Sequence, residues 1–470
     1  MEQDHLEVCI VGGGPGGSAA ALRLARLGHR VGVIEKARFP RFKVGESVGR
    51  GLWTLLDVLE VREHFVRQDF LYSEETLIRW DMAETERLAG HAGSVLVNRA
   101  SFDALLLRQA EHAGAQVLQP ARAAAAVLRG GVWQLEVKLE GRSTRLTADY
   151  LVDASGRRPF LPGARTRVSP PTLALCGYVR TAGSPRPLRT EAISDGWCWG
   201  APVPGQMFSA MVFLSPETVR RRENLSLEEL WRMKLAKAEL FQWMATLPLV
   251  NPLTFHDATT DFATDFSTNL MRVGEASFTL DPMSSSGVEK AIQTGCIAAI
   301  ALHTMLHRPE RADVSMKFCN QRRSETVSAH AAWAAEFYSR VERFRELPFW
   351  LARSQSSSSH RPSPAMKDHI NRDIALSIQS RVQLSRNAHL IKEPCITGDE
   401  ICERTALLHP SLDRPVAFLG GIELGSLLAK LPEKTSIGAL LHIWSAEVSS
   451  DHARRVAQWL LSNRILELVG

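Results

Sequence analysis

A glycine-rich turn near the start of the chain is the feature that most constrains the fold. An apolar run at residues 6–11 precedes Gly12-Gly13-Gly14-Pro15-Gly16-Gly17, and an alanine-rich segment opens at Ser18. This order predicts a strand, a tight turn and a helix. A second apolar strand is predicted at residues 30–34 and ends at Glu35.

The spacing of the glycines indicates a dinucleotide site. In the pattern GxGxxG, which falls on Gly12, Gly14 and Gly17, one glycine makes the turn, one lets the backbone approach a pyrophosphate, and one lets the helix pack on the strand. The helix N-terminus offers free N–H groups to the phosphates. Glu35 is then placed to accept hydrogen bonds from the ribose hydroxyls. The alternative, a purely structural turn, is disfavoured by the small residues at 18–20.

Two later segments repeat the order of apolar strand and small-residue turn. Residues 147–157 end in Ser155-Gly156-Arg157, and residues 270–287 contain Gly274-Glu275 before a predicted helix at 288–306. Together with the first turn, these segments resemble the flavoprotein monooxygenases of the p-hydroxybenzoate hydroxylase fold, especially the flavin-dependent halogenase branch. The resemblance covers residues 1 to about 350. It implies an α/β fold with a discontinuous Rossmann-like FAD-binding domain and an inserted β-sheet substrate domain.

The same resemblance implies an FAD cofactor and O2 as co-substrate. Glu275 stands where the family usually has aspartate, and Arg99, at a predicted helix start, would lie near the flavin or be a plain surface arginine. Ser155 replaces the aspartate of self-sufficient hydroxylases, so reduction by NAD(P)H directly and through a separate flavin reductase both stay open. The cofactor-binding residues implied are Gly12, Gly14, Pro15, Gly17, Glu35, Lys36, Arg99, Gly274, Glu275, Pro282, Ser286 and Gly287.

Two motifs typical of the halogenase branch point to the substrate side. Trp197, Trp199 and Pro202 match its Trp-x-Trp-x-x-Pro segment, and Phe278 opens its Phe-x-x-x-Pro-x-x-Ser-x-Gly segment. The resemblance implies a substrate pocket that includes Trp197, Trp199 and Phe278. Alternate packing of the two tryptophans on a strand is the structural alternative.

The catalytic lysine of the halogenases is missing from its expected place. Residues 39–47, which include Lys43 and end in Gly45-Glu46-Ser47, resemble the loop that runs beside the isoalloxazine in this branch. The family uses a lysine a few dozen residues after its Gly-Glu-Ser segment, but no lysine occurs between Lys43 and Lys138. Hydroxylation needs less from the protein, because reduced FAD and O2 form a C4a-hydroperoxide that transfers oxygen to an electron-rich ring. The catalytic candidates are Glu46 and Lys43, with His256 behind them. We therefore predict a flavoprotein monooxygenase, with a halogenase as the alternative.

The tail beyond the catalytic body is predicted either to contact a protein or peptide or to be a packed cap on the catalytic domain. After a serine- and proline-rich segment, three short amphipathic helices, with Thr435 and Asp451 as N-caps, end in an apolar strand and resemble a winged helix. The layout is similar to monooxygenases that hydroxylate a partner protein's tryptophan in tryptophylquinone biogenesis. The expected substrate is an aromatic ring, preferably a peptide-borne tryptophan, and a flavin-binding peptide chaperone is the non-enzymatic alternative.

Composition limits the remaining classes of function. The net charge of +5 over 470 residues is too small for a nucleic-acid footprint, and the seven scattered cysteines include no CxxC pair. We expect reduced thiols, no metal, no membrane span, no nucleic-acid partner and a cytoplasmic location. The predicted domains are FAD-binding at 1–80, 97–160 and 268–310, substrate at 81–96 and 161–267, a helical segment at 311–352, a linker or mobile loop at 353–369 and a C-terminal domain at 370–470.

Overall fold

The chain folds into two compact units. The computed structural model describes residues 5–469 except 42, 44–46, 67–69, 73–74, 82–83, 90–94, 182, 184–186, 223, 265–266, 268 and 356–376. The first unit comprises residues 1–303 and 319–361, and the second comprises residues 304–318 and 362–470. The finer division of the first unit into FAD and substrate domains stays a prediction. Most of the predicted linker lies outside the described residues.

The secondary structure of the first unit alternates strands and helices at its start and becomes strand-rich in its middle. Its strands are β1 (His5–Val11), β2 (Val31–Ile34), β3 (Ser47–Val48), β4 (Leu71–Tyr72), β5 (Glu75–Arg79), β6 (Glu86–Ala89), β7 (Val95–Leu96), β8 (Gln116–Leu118), β9 (Ala121–Arg129), β10 (Val132–Leu139), β11 (Arg142–Asp153), β12 (Arg165–Arg167), β13 (Leu173–Arg180), β14 (Leu188–Ile193), β15 (Gly196–Val203), β16 (Met207–Leu214), β17 (Thr254–Asp257), β18 (Asp261–Ala263) and β19 (Leu270–Arg272).

The helices up to residue 354 are α1 (Pro15–Arg26), α2 (Gly51–Val58), α3 (Arg62–Val66), α4 (Arg99–His112), α5 (Pro216–Arg220), α6 (Leu227–Lys237), α7 (Gly287–His307), α8 (Ala312–Ser339) and α9 (Pro348–Ser354). Local sequence explains several of their starts. Asn98 caps α4 by accepting from the N–H groups of Ala100 and Ser101, and Ser226 with Glu229 forms a capping box on α6.

The first sheet has the strand order β8-β2-β1-β11-β10-β9, with β19 also pairing β11. The pairs β1–β2, β1–β11, β2–β8 and β11–β19 are parallel, whereas β9, β10 and the first half of β11 are antiparallel. Parallel strands β1 and β2 are almost wholly apolar and buried, as expected for a sheet covered on both faces. This confirms the predicted α/β class.

The second sheet has the order β17-β13-β16-β15-β14-β5-β6 and is antiparallel except for β5–β14. One face of it packs against α6 through a core that includes Cys198, Phe208 and Trp231. The other face carries Trp197 and Phe213 and packs with residues of α8 and α9, among them Tyr338 and Trp350.

The second unit contains the three predicted helices and the final strand. These are α10 (Leu424–Ala429), α11 (Ile437–Trp444), α12 (Ser450–Ser462) and β26 (Leu466–Val469), beside β20 (Arg381–Leu384), β21 (His389–Thr397), β22 (Glu400–Leu408), β23 (Phe418–Leu419), β24 (Ile422–Glu423) and β25 (Thr435–Ser436). Trp444, Leu440 and Leu460 are among its buried core residues. The predicted caps Thr435 and Asp451 were wrong by one or two residues: Ser436 and Ser449 accept the capping N–H groups.

None of the helices within the described ranges is long and apolar enough to cross a membrane. All seven cysteines are free thiols, and burial raises the pKa of Cys9, Cys296 and Cys319 to about 12.

Candidate active site

The register of the first sheet brings the three glycine-containing segments to one edge. Val11 lies opposite both Ile34 and Asp153, and Asp153 lies opposite Arg272. The turns that follow these strands therefore leave the sheet side by side. This is the carboxyl edge of the parallel strands, where open α/β sheets bind their ligands.

The three glycines of the first turn have different physical roles. Gly12 has φ +111°, and a Cβ there would lie 2.3 Å from the Ala154 carbonyl oxygen. A Cβ on Gly17 would lie 1.9 Å from the Gly12 oxygen, so both glycines are required by the protein's own packing. Among the residues that the structure describes, a Cβ on Gly14 would meet only the Arg41 Nη2, at 3.7 Å. The packing of these described residues does not require glycine at 14, which fits a backbone that must approach a dinucleotide, and FAD fits this cradle.

Glu35 is held rigidly beside the turn. Its buried carboxylate accepts hydrogen bonds from the backbone N–H groups of Gly13 at 2.8 Å and Ala37 at 2.9 Å. Glu35 thus already supports the turn, and its contact with a ribose stays a prediction. Pro15 opens α1, whereas Lys36 is exposed directly after Glu35.

Arg99, which is predicted to contact the flavin, forms a strong ion pair within the protein. The buried Arg99 guanidinium donates to both carboxylate oxygens of Asp103, at 2.8 and 2.9 Å. Asp103 also lies 3.7 Å from Arg41 Nη1, and Arg41 Nε lies 3.9 Å from Glu35. Arg41 therefore lies beside the glycine turn, yet sequence reasoning missed it because no family motif marks it. Contact between Arg99 and FAD stays a prediction.

The third segment begins with a tight turn at Gly274. Gly274 has φ +57°, and its N–H donates to Thr294 Oγ1 on α7 at 2.9 Å. The Glu275 carboxylate is partly exposed and lies 4.0 Å from Arg157 Nε. Arg165 holds the loop by donating to the carbonyl of Ala276 at 2.7 Å. Arg157 therefore lies beside the Glu275 carboxylate, and Arg165 fixes the backbone that carries it.

The loop continues to the start of α7. Pro282 begins a short 3-10 turn, and Ser285 adopts a left-handed conformation with φ +47°. The hydroxyls of Ser284 and Ser286 are 2.7 Å apart, and Gly287 is the first residue of α7. The predicted binding residues Pro282, Ser286 and Gly287 thus lie on one continuous turn.

Asp153 organises the edge between these segments and was also missed. Its fully buried carboxylate accepts from the Ser155 hydroxyl at 2.6 Å, the Leu161 N–H at 3.1 Å and Arg272 Nη1 at 3.1 Å. A buried charge needs such partners, because an unpaired carboxylate in the interior is costly. The apolar strand ending in aspartate was the signal that could have marked it.

Lys43 and His256 interact in a polar cluster beside Glu275. The Lys43 side chain is exposed to solvent, yet desolvation by the surrounding protein lowers its pKa. The negative charge of Glu275 acts in the opposite direction and raises that pKa. Burial, with added repulsion from Lys43 and Arg157, lowers the pKa of His256 and favours the neutral imidazole. Glu46, the first catalytic candidate, lies outside the described residues.

The predicted pocket residues differ in exposure. Trp197 and Phe278 are 1% and 4% exposed, and the Trp197 ring stacks on Phe213 with centroids 3.9 Å apart. Trp199 is on the same face of β15 but only partly buried, at the border of the aromatic core together with Met283 of the 282–287 turn. Trp199 is thus the more accessible of the two tryptophans, and contact of Trp197, Trp199 and Phe278 with substrate stays a prediction.

A small cavity lies behind the 282–287 turn. It has a volume of about 20 Å³, enough for one water molecule, and Asp281, His330, Tyr338 and Arg353 are among its lining residues. The Tyr338 hydroxyl donates to Asp281 at 3.0 Å, and Arg353 Nη2 donates to the Thr172 hydroxyl at 2.8 Å. Burial raises the pKa of Asp281. Only the tertiary fold brings these distant residues together.

The dinucleotide edge and the adjoining strand-rich body define the class of flavin-dependent oxidoreductases. Residues 7–71 and 73–381 match the tryptophan halogenase family, and the chain belongs to that family. Tryptophan 2-halogenase of Chondromyces crocatus is 28% identical over 375 residues, which cover 74% of this chain and 70% of the relative. The predicted family resemblance and the flavoenzyme class are confirmed.

Two solved structures share the fold across both units. The flavin-dependent halogenase CmlS superposes with a TM-score of 0.79 at 20% identity, covering 100% of this chain and 98% of that one. QhpG, a peptidyl tryptophan dihydroxylase essential for tryptophylquinone cofactor biogenesis, gives a TM-score of 0.75 at 22% identity, covering 98% and 99%. Both likenesses establish the fold.

Proposed function

We propose that this protein is an FAD-dependent monooxygenase that hydroxylates an electron-rich aromatic ring, preferably a tryptophan side chain in a partner protein or peptide. The observation that carries the proposal is the stretch from Lys43 to Lys138, which contains no lysine between its ends. A halogenase would need an amine there to handle hypohalous acid. Insertion of oxygen into the ring needs no such amine.

Arg79 lies in the segment, residues 70–90, where the resemblance places the reactive lysine. Arg79 at the end of β5 forms ion pairs with Glu239 and, at 3.7 Å, with Glu191. A guanidinium stays protonated at any accessible pH, so it cannot take up and release the reactive halogen as an amine does. Arg79 is therefore a structural cation, which supports hydroxylation over halogenation.

The preference for a peptide-borne ring is supported by the likeness to QhpG. That protein acts on tryptophan within a polypeptide, and its structural likeness spans 98% of this chain, including the C-terminal unit. CmlS spans the chain equally well, so the choice of hydroxylation over halogenation rests on the missing lysine and not on the fold. A winged-helix-like unit would suit a protein partner.

Bound FAD would supply the oxygen-activating redox chemistry, and the chain would supply orientation and proton transfer. The Gly12–Gly17 turn and the 274–287 segment would hold the cofactor. Neutral His256 is suited to accept the proton that the ring loses when oxygen enters, and Lys43, whose pKa is lowered, is suited to donate one. Glu46 remains the additional candidate base.

The direct test is mass spectrometry of a tryptophan-containing peptide from a candidate partner, incubated with FAD, O2 and a reductant. We expect a gain of oxygen and no halogen isotope pattern, even with bromide or chloride present. Parallel reactions with NAD(P)H alone and with an added flavin reductase identify the electron donor. Halogen incorporation without oxygen gain would overturn the proposal in favour of a halogenase, and binding without any mass change would favour a peptide chaperone.

Two variants of Lys43 separate its charge from its proton. Lys43→Arg keeps the positive charge but cannot exchange a proton near neutral pH, whereas Lys43→Met loses both. If Lys43 donates a proton, both variants should lower kcat by about tenfold or more with little change in KM. Full activity of Lys43→Arg would show that only the charge matters.

A further inference from the structure

A continuous set of aromatic rings links the 282–287 turn to the protein surface. Trp80, directly after β5, is at its centre, with ring centroids 6.2 Å from Tyr338, 6.0 Å from Trp197, 5.4 Å from Trp350 and 5.0 Å from Phe337. Trp80, Tyr338 and Trp350 are almost fully buried. Dense packing would explain a few such contacts, but the two ends of the set have chemical features that packing does not require.

At the inner end, Tyr338 has a proton acceptor. Its hydroxyl donates to Asp281 Oδ2 at 3.0 Å, while Asp281 Oδ1 accepts from the Met283 N–H at 3.1 Å. Asp281 immediately precedes the turn that would border the flavin. A phenol gives up an electron far more readily when its proton can move to a base at the same time, and burial raises the pKa of Asp281, which makes it a better base.

At the outer end, Trp333 is 39% exposed. It stacks on Phe337 four residues later on α8, with centroids 5.4 Å apart. Phe337 lies between Trp333 and Trp80, and the Trp80 indole N–H donates to the Phe337 carbonyl at 3.0 Å. Ring contacts are therefore unbroken from Tyr338 through Trp80 and Phe337 to Trp333.

We propose that Tyr338, Trp80 and Trp333 form a hole-transfer chain that carries oxidising equivalents from the oxygen-activating site to the surface. The proposal rests on the proposed function only for the source of the oxidant, a hydroperoxyl radical formed when O2 takes up one electron and one proton and no substrate is oxidised. That radical takes one electron from Tyr338 and one proton from solvent and becomes H2O2, and the phenolic proton of Tyr338 passes to Asp281.

The residues of the hole-transfer chain then return to their reduced states one after another. An electron from Trp80 refills Tyr338 as the proton returns from Asp281, and an electron from Trp333 refills Trp80 across the Phe337 ring. Trp333 is finally reduced by a thiolate in solution, and two thiyl radicals produced in this way combine to a disulfide. Tyr338 and the buried tryptophans are thereby spared permanent oxidation.

The test sends the oxidising equivalent in the opposite direction, from the surface to Tyr338, and it needs no flavin turnover. The purified protein is mixed with a ruthenium polypyridyl photosensitiser and a sacrificial electron acceptor, and radicals are followed by transient absorption and electron paramagnetic resonance. Oxidation should enter at exposed Trp333 and settle as a tyrosyl radical that Tyr338→Phe abolishes. Asp281→Asn should replace it by a tryptophan radical, because the proton acceptor is gone.

A matched pair of surface tryptophans provides the control. Trp333→Phe should abolish the Tyr338 radical, whereas Trp243→Phe, at a tryptophan that is 36% exposed and packs on Phe208 instead, should leave it unchanged. Trp80→Phe should also abolish it, with near-ultraviolet circular dichroism confirming the fold. A Tyr338 radical of equal yield in Trp333→Phe, or none in the wild type, would overturn the proposal without bearing on the hydroxylation assay.

Discussion

The carboxyl edge of the first sheet and the aromatic face of the second sheet differ in what limits their residues: close backbone contact at the edge, and the filling of space by rings on the face. At the edge, backbone atoms approach each other within a few ångströms, and glycines at 12 and 17 are needed because no side chain fits. On the aromatic face, large rings such as Trp197 and Phe213 fill space against α8 and α9. Backbone constraints require glycine at fixed spacing, which can be recognised in the sequence. Ring packing requires only large hydrophobic residues, so the sequence does not show which rings touch.

The largest expected loss of stability comes from removing a ring of the aromatic face. Trp197→Ala should lower the free energy of unfolding by about 3–5 kcal/mol, because it leaves a cavity where a fully buried ring stacks on Phe213. Trp199→Ala, at a partly exposed ring, should cost about 1–2 kcal/mol. Urea denaturation measures both. A small cost for Trp197→Ala together with weaker substrate binding would instead assign Trp197 to the pocket.

At the sheet edge, Gly17→Ala should destabilise the fold by about 3 kcal/mol or more, because the added Cβ would collide with the Gly12 carbonyl oxygen and force the helix from the strand. Gly183→Ala is the control, since no described atom lies within 4 Å of its added Cβ. Thermal and urea unfolding of both variants check the prediction. Equal stability of the two would show that the α1–β1 contact relaxes easily.

Gly14→Val should separate cofactor binding from folding. The Cβ of the valine meets only Arg41 among the described residues, but the side chain would block a pyrophosphate. FAD affinity should therefore fall about a hundredfold, or about 2.8 kcal/mol, with the melting temperature of the apoprotein almost unchanged. Fluorescence titration with FAD and the colour of the purified protein provide the measurement. Retention of flavin would contradict the assignment of the turn.

The remaining prediction is the smallest when measured per pH unit, and it concerns the cavity behind the 282–287 turn. Burial, with added repulsion from Lys290, lowers the pKa of His330 from 6.5 to about 4. Between these values the unfolded chain binds a proton that the native state does not, so stability falls as pH falls, by up to about 1.4 kcal/mol per pH unit. The loss levels off below about pH 4.

His330→Gln should reduce this slope, as shown by urea denaturation across the window, and leave stability above pH 6.5 without a pH-dependent difference from the wild type. An unchanged slope would mean that His330 is solvated enough to titrate normally.

Much of the site could be predicted because short stretches of sequence determine its turns and helix starts. The Gly12–Gly17 turn, the helix beginning near Arg99 and the helix after Gly287 each depend on short segments. The helix caps in the second unit show the precision of such reasoning, since Ser436 and Ser449, close to the predicted residues, do the capping. Arg41 and Asp153 were missed because their partners come from other segments.

The sequence by itself determined the dinucleotide turn, the family and the absence of a lysine between positions 43 and 138, because each is a property of residue identity at short spacing. Only the tertiary structure decided that Gly14, unlike Gly12 and Gly17, has open space among the described residues, that Trp197 is packed while Trp199 is partly exposed, and that Tyr338 donates to Asp281. These outcomes depend on strand register and helix packing, which join residues far apart in the chain and leave no periodic signal along it.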